Sequence, residues 1–158
     1  MTDASAALWK KLNLKGGQRV TVIDAYGAMA KHVAALDGAF AVAAAPQADT
    51  SFLLALATTL AEVDASARAA ASLGVDDPVV WVAYPKGTSK RYRCEFNRDT
   101  GWSAMGEAGF EPVRQVAIDD DWSALRFRRV KHIKAMTRSF AMTAEGQAKA
   151  AKGSGAKG

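Results

Sequence analysis

The chain has 158 residues, 49% of them hydrophobic and 23% charged, with a formal charge of +5, which suits one domain whose core needs no disulfide staples. A single cysteine, Cys94, excludes an internal disulfide, and nothing argues for an oxidising compartment. Met1 to Leu8 lack the basic-then-apolar order of a signal peptide, and the longest apolar stretch, Phe52 to Ala61, is about half the ~20 residues a bilayer-spanning helix requires, so the expectation is a cytoplasmic protein without a membrane anchor.

Taken in order, Leu8 and Leu12 lie four apart with Trp9 beside them, as in an amphipathic helix ended by Gly16 and Gly17. Arg19 to Ile23 is β-branched enough for a buried strand, and runs into the loop Asp24-Ala25-Tyr26-Gly27. Met29, Val33 and Leu36 predict a short helix stopped by Gly38. Phe40 to Ala43 is a weak second strand and Ser51 to Leu56 a stronger third. Thr59 followed by Glu62 is a capping-box pattern that opens a helix running toward Gly74, with Leu60, Val63, Ala67 and Ala70 on its apolar stripe.

Pro78 to Pro85 is the clearest buried strand. Asn97 is positioned to cap a helix through Ala108, with Trp102 and Met105 inward and Gly109 closing it. Pro112 to Ile118 and Ala124 to Val130 read as an antiparallel hairpin, and the alternation in the second of them reads as an edge strand with one wet face. The fold expected is α/β: one open, mostly parallel Rossmann-like sheet with helices on both faces and a C-terminal antiparallel hairpin at the edge.

Charge divides the chain. Residues 126–158 hold nine bases against one acid, Glu145, a local +8, whereas residues 1–125 hold 12 bases and 15 acids, or −3. The expected division is therefore a domain over 1–131 and a basic tail over 132–158, with residues 144–158 too poor in apolar surface to order. Such a tail suits an acidic partner such as nucleic acid, or plain solubility.

Motifs that would name a reaction stand in the wrong places. Gly153 to Gly158 spells a dinucleotide fingerprint, but no strand precedes it, while the loop after the first strand has only Gly27 and the second strand ends in Ala43-Ala44-Ala45 without a carboxylate for a ribose. Gly101 to Gly106 misses the nucleophile-elbow spacing by one residue. His32 reads as a satisfied helix histidine, two histidines and one cysteine offer no zinc spacing, and Asp119-Asp120-Asp121 reads as a solvated turn. No metal or cofactor is expected.

One constellation points to binding. Lys86, Lys90, Arg91, Arg93 and Arg98 cluster after the strongest strand, interleaved with Gly87, Thr88 and Ser89 and opposed only by Glu95. Ligands of open α/β sheets bind outside the carboxyl ends of the strands, where this segment and the Asp24-Ala25-Tyr26-Gly27 loop both belong. The expected site for a small anionic ligand comprises Asp24, Tyr26 as a stacking surface, Gly27, Lys86, Ser89, Lys90, Arg91 and Arg98.

Trp9-Lys10-Lys11-Leu12 with Gly16-Gly17-Gln18-Arg19-Val20, Trp81-Val82-Ala83-Tyr84-Pro85-Lys86, and Asp121-Trp122-Ser123-Ala124-Leu125-Arg126-Phe127 together resemble a family of small bacterial proteins classed as a domain of unknown function. The resemblance spans about residues 8–130 and implies an abbreviated methyltransferase-like sheet, with Lys86, Ser89 and Lys90 as its shared feature. Three readings follow: a non-enzymatic binding or regulatory module for a small anion or a protein partner, a divergent S-adenosylmethionine-dependent enzyme, and a nucleic-acid-associated protein acting through its tail.

Overall fold

The apolar and β-branched runs become one six-stranded sheet in the computed structural model, which describes residues 2–133. The elements in chain order are α1 (Asp3–Lys11), β1 (Val20–Ile23), α2 (Ala30–Ala34), β2 (Val42–Ala43), β3 (Phe52–Leu56), α3 (Leu60–Ala71), β4 (Val79–Pro85), α4 (Ser103–Glu107), β5 (Phe110–Ala117) and β6 (Trp122–Arg129). The strand order is β2-β1-β3-β4-β6-β5, with β6 alone reversed. The chain leaves β1 toward β2 and returns on its other side as β3, so the order reverses between β1 and β3.

Local chemistry explains the helices. Thr2 caps α1 by accepting from the Ser5 amide at 3.2 Å, and Thr59 caps α3 by accepting from the Glu62 amide at 3.1 Å while the Glu62 carboxylate accepts from the Thr59 hydroxyl at 3.3 Å. α3 and α4 cover one face of the sheet, bringing Val63, Ala67 and Met105 to the cluster that holds Val80 and Phe127 of the strands. The other face packs α1 and the segment around α2 against Phe52, Leu54 and Trp81.

Tryptophan indoles fasten the connections. Trp9 Nε1 donates to the His32 carbonyl at 2.9 Å, Trp81 Nε1 to the Leu12 carbonyl at 2.8 Å, and Trp102 Nε1 to the Asn97 carbonyl at 2.8 Å. Ser5 Oγ also lies 2.8 Å from His32 Nδ1, in a buried contact between α1 and α2, and burial lowers the pKa of His32.

Four details differ from the sequence reading. The Asn97 side chain does not cap a helix; it accepts from the amides of Asp99 and Thr100 at 2.8 and 3.1 Å, a local turn that competes with helix, and α4 starts only at Ser103 after Gly101 takes φ +90°. Strand β6 is interior, because β4 and β5 both pair with it, and β5 is the rim. The second strand shrinks to Val42–Ala43. Leu60 is 47% exposed and stands off the buried stripe of α3. The fingerprint at Gly153 to Gly158 and the tail from residue 134 lie outside the described residues, and among those residues no helix is long and apolar enough to cross a membrane.

Candidate functional site

Strands β1, β3 and β4 deliver their carboxyl ends to one rim of the sheet, where the connections 24–29, 57–59 and 86–102 gather. Of the predicted residues, Asp24 and Gly27 line one cavity there and Lys86, Ser89 and Arg98 a second, Tyr26 forms a partition between them, and Lys90 and Arg91 line neither.

The partition is built on Tyr26. Its hydroxyl crosses the β1/β3 switch point, donating to a Glu62 carboxylate oxygen and lying 2.6 Å from Thr58 Oγ1. Its ring packs 5.5 Å from Trp122 and 6.2 Å from Tyr92, and those two rings are 4.9 Å apart. Burial and the neighbouring Glu62 raise the pKa of Tyr26, so its proton stays in place. Glu62 Oε1 also receives the Thr58 amide at 3.0 Å and the hydroxyls of Thr58 and Thr59 at 3.2 and 3.3 Å; burial pushes this carboxyl up, and the hydrogen bonds outweigh it and hold the group below its ordinary range.

On one side of the partition lies a cavity of about 670 Å³ lined by Ile23, Asp24, Ala25, Gly27, Val33 and Ala43 among others. Its carboxylate is already engaged: Asp24 Oδ1 accepts from the Tyr26 amide at 3.0 Å and Oδ2 from the Met29 amide at 2.6 Å. The lining is otherwise small and apolar.

On the other side, over the end of β4, the 86–102 connection encloses about 720 Å³. Lys86, Ser89 and Arg98 line it with Arg93 of the same basic constellation, together with Tyr84, Cys94, Gln115 and Ser123, which the sequence does not single out as ligand residues. Strand register would have pointed to two of these, since Ser123 is the cross-strand partner of Tyr84. Tyr84 is 3% exposed, and burial pushes its pKa up to about 12; its oxygen accepts from Gln115 Nε2 at 2.8 Å, which leaves the phenolic proton available to an acceptor in the cavity. Burial likewise raises the Cys94 thiol.

The charge in this cavity is unbalanced. Among the described residues no carboxylate stands within ion-pair distance of Lys86 or Arg93. Arg98 pairs with exposed Asp99 at 3.4 Å. The one acid in the wall, Glu95, accepts from the Leu60 amide at 2.9 Å at the start of α3.

Asp121 ties the segment after β4 to the β5–β6 connection. It accepts from the Ser89 hydroxyl at 2.8 Å while its carbonyl takes the Lys86 amide at 2.7 Å. Ser89 Oγ in turn accepts from the amides of Arg91 and Tyr92 at 3.3 and 3.2 Å, so this hydroxyl shapes the loop. Arg91, 80% exposed, sits 4.0 Å from Asp121. Lys90 is exposed and outside the walls of both cavities.

No protein-family model matches the chain, and no curated protein matches it in sequence. Solved structures do. A crystal structure of a SAM-dependent methyltransferase from Aquifex aeolicus superposes with a TM-score of 0.57 at 12% identity, covering 81% of this chain and 90% of that one. A putative type 11 methyltransferase from Sulfolobus solfataricus gives a TM-score of 0.47 at 12% identity over 86% of this chain and 85% of the other. The fold of this chain is thus the Rossmann-like, methyltransferase-like open α/β sheet.

Proposed function

We propose that this protein is a non-enzymatic binding module that takes a small anionic ligand in the cavity over the carboxyl end of β4. The observation that carries the reading is the donor set: Lys86 and Arg93, with no ion-pair partner among the described residues, and the phenolic proton of Tyr84. Cationic and hydroxyl donors around a partly enclosed space recognise carboxylate or phosphate, and the volume is that of a site for a small organic molecule. The same proposal extends to the small bacterial family that the Trp81 to Lys86 and Asp121 to Phe127 segments resemble.

A methyltransferase-like enzyme is the rival reading, and the fold likeness supports it. The residues at the switch point do not fit S-adenosylmethionine. The Tyr26 bridge to Thr58 and Glu62 spans the crevice, Asp24 is spent on two backbone amides, and β2 ends in Ala43 and Ala44 where a ribose would need a carboxylate. No reaction step is assigned.

The test is a thermal-shift screen with adenine and nicotinamide nucleotides, simple phosphates and S-adenosylmethionine. At a hundredfold excess over Kd a ligand adds about 2.7 kcal/mol to stability. The reading expects an anion whose shift is lost in Lys86→Ala and Arg93→Ala and kept in Lys90→Ala. A screen in which no anion shifts the wild type, or only S-adenosylmethionine does, overturns it.

A further inference from the structure

A second cluster of cations lies on the opposite face of the sheet from this cavity. In β6, Leu125 and Phe127 face the α3 side, which leaves Arg126 and Arg128 on the face of Trp81 and Ala124. Strand β5 contributes Arg114, whose cross-strand partner is Arg126.

That pairing depends on an irregularity. Pro112 pairs with Phe127, and an uninterrupted register would set Val113 against Arg126 and Arg114 against Leu125, on the α3 face. A bulge between Pro112 and Arg114 shifts the register by one, so Arg114 stands across from Arg126. The extra residue, Val113, is left 42% exposed. Bulges re-aim side chains, and this one sets two like charges directly opposite each other, an arrangement that destabilises a sheet.

The neighbouring charges relieve it only in part, through Asp77. Arg128 is committed to Asp77 through two bonds of 3.1 and 2.7 Å, and Asp76 is taken by Lys131 and His132; Glu111 stands across from Arg128. Arg114 and Arg126 have no ion pair among the described residues, and the buried Nε of Arg126 has no acceptor. Burial first, then Arg128 and Arg114, lower the pKa of Arg126, and the Asp77 carboxylate offsets them only in part.

We propose that Arg114 and Arg126 bind a phosphoryl group on the β5–β6 face, as a site separate from the cavity over β4. Two guanidinium groups side by side present the planar, multidentate donors that phosphate oxygens match. A dianion bound between the two guanidinium groups offsets the cross-strand repulsion.

The experiment titrates inorganic phosphate, and in a parallel arm a short single-stranded oligonucleotide, into wild type, a Lys86→Ala/Arg93→Ala variant that removes the cations of the cavity over β4, and Arg114→Met and Arg126→Met each made in that variant and alone, following binding by calorimetry and stability by melting. A phosphate site should remain in the Lys86→Ala/Arg93→Ala variant, and its affinity should fall roughly tenfold or more when either Arg114 or Arg126 is also replaced; phosphate binding that is lost in the Lys86→Ala/Arg93→Ala variant itself belongs to the cavity over β4 and overturns the proposal. Arg126→Met should also melt higher than wild type in phosphate-free buffer, because it removes a buried cation without an acceptor. Arg114 is exposed, so Arg114→Met tests the site even if Arg126→Met folds poorly. Tighter binding of the oligonucleotide, with a salt slope that drops by roughly 0.7 per arginine removed, identifies a nucleic-acid phosphodiester as the source; equal or absent oligonucleotide binding beside intact phosphate binding identifies a small phosphorylated molecule. Phosphate binding that is absent from the wild type, or undiminished in both arginine variants, overturns the proposal.

Discussion

Replacing Tyr26 by phenylalanine removes one oxygen and leaves the ring against Trp122 and Tyr92. What is lost is the donor to Glu62 and the contact with Thr58 at 2.6 Å. A hydrogen bond to a charged group contributes about 1.5–3 kcal/mol, and Glu62 Oε1 keeps the Thr58 amide and two threonine hydroxyls, so the lower end applies. A loss of about 1.5 kcal/mol corresponds to roughly 3–6 °C in melting temperature for a domain of this size. The sign with pH follows from Glu62, whose folded carboxyl is held below its ordinary value. Its contribution is complete above the unfolded pKa of about 4.3 and is lost as pH falls through the folded value, so the gap between wild type and variant should be full at neutral pH and shrink below about pH 4. Urea denaturation of Tyr26→Phe, Glu62→Gln and the double variant, at neutral pH and at about pH 3, reads both the size of the effect and the coupling. A Tyr26→Phe cost under about 0.5 kcal/mol, or one that stays the same across that range, would refute the view that this bridge closes the switch point.

Asp24→Ala should lower stability by about 1–2 kcal/mol, the effect of removing a side-chain cap, because its carboxylate holds the amides of Tyr26 and Met29; chemical denaturation measures it. Trp81→Phe removes a fully buried indole and its bond to Leu12, so a loss of about 2–3 kcal/mol is expected, with faster hydrogen exchange across the α1 amides. Gly101→Ala meets both a φ of +90° and a Cβ that would lie 2.5 Å from Phe96 Cβ, and should cost about 2 kcal/mol or more by urea melts.

Strong local signals were legible in the sequence. Pro78 and Pro85 bracket a run whose only polar side-chain groups are the Trp81 indole N–H and the Tyr84 hydroxyl, which is how a strand buried on both faces reads, and Thr59 with Glu62 marks the start of α3 through the bonds that cap it. What escaped was set by distance along the chain. The alternation of Leu125 and Phe127 with Arg126 and Arg128 looks like a rim strand, yet whether β6 has one neighbour or two is decided by β4, some forty residues away. Tyr26 looked like a stacking surface because its partners Thr58 and Glu62 lie 32 and 36 residues on. Asp121 sat in an acidic run that reads as a solvated turn, and only the folded chain brings it to Ser89, 32 residues earlier. The basic segment after β4 was visible as charge, but which of its side chains face a common space depends on Phe96 and Trp102 pinning it to the core, with rings 4.9 Å apart.

The position of β6 also governs when the fold can be completed. β5 reaches the sheet only through β6, which is made after it. While residues 122–129 are still being synthesised, β4 keeps an open rim and Phe110–Ala117 has no strand to join. Closure is then an insertion between two waiting strands, not growth at a margin. A chain released before Trp122 would carry both unpaired edges into solution, the condition in which strands seek other molecules. Synthesis through Arg129 is thereby built into the topology as a condition for a sheet that stays to itself.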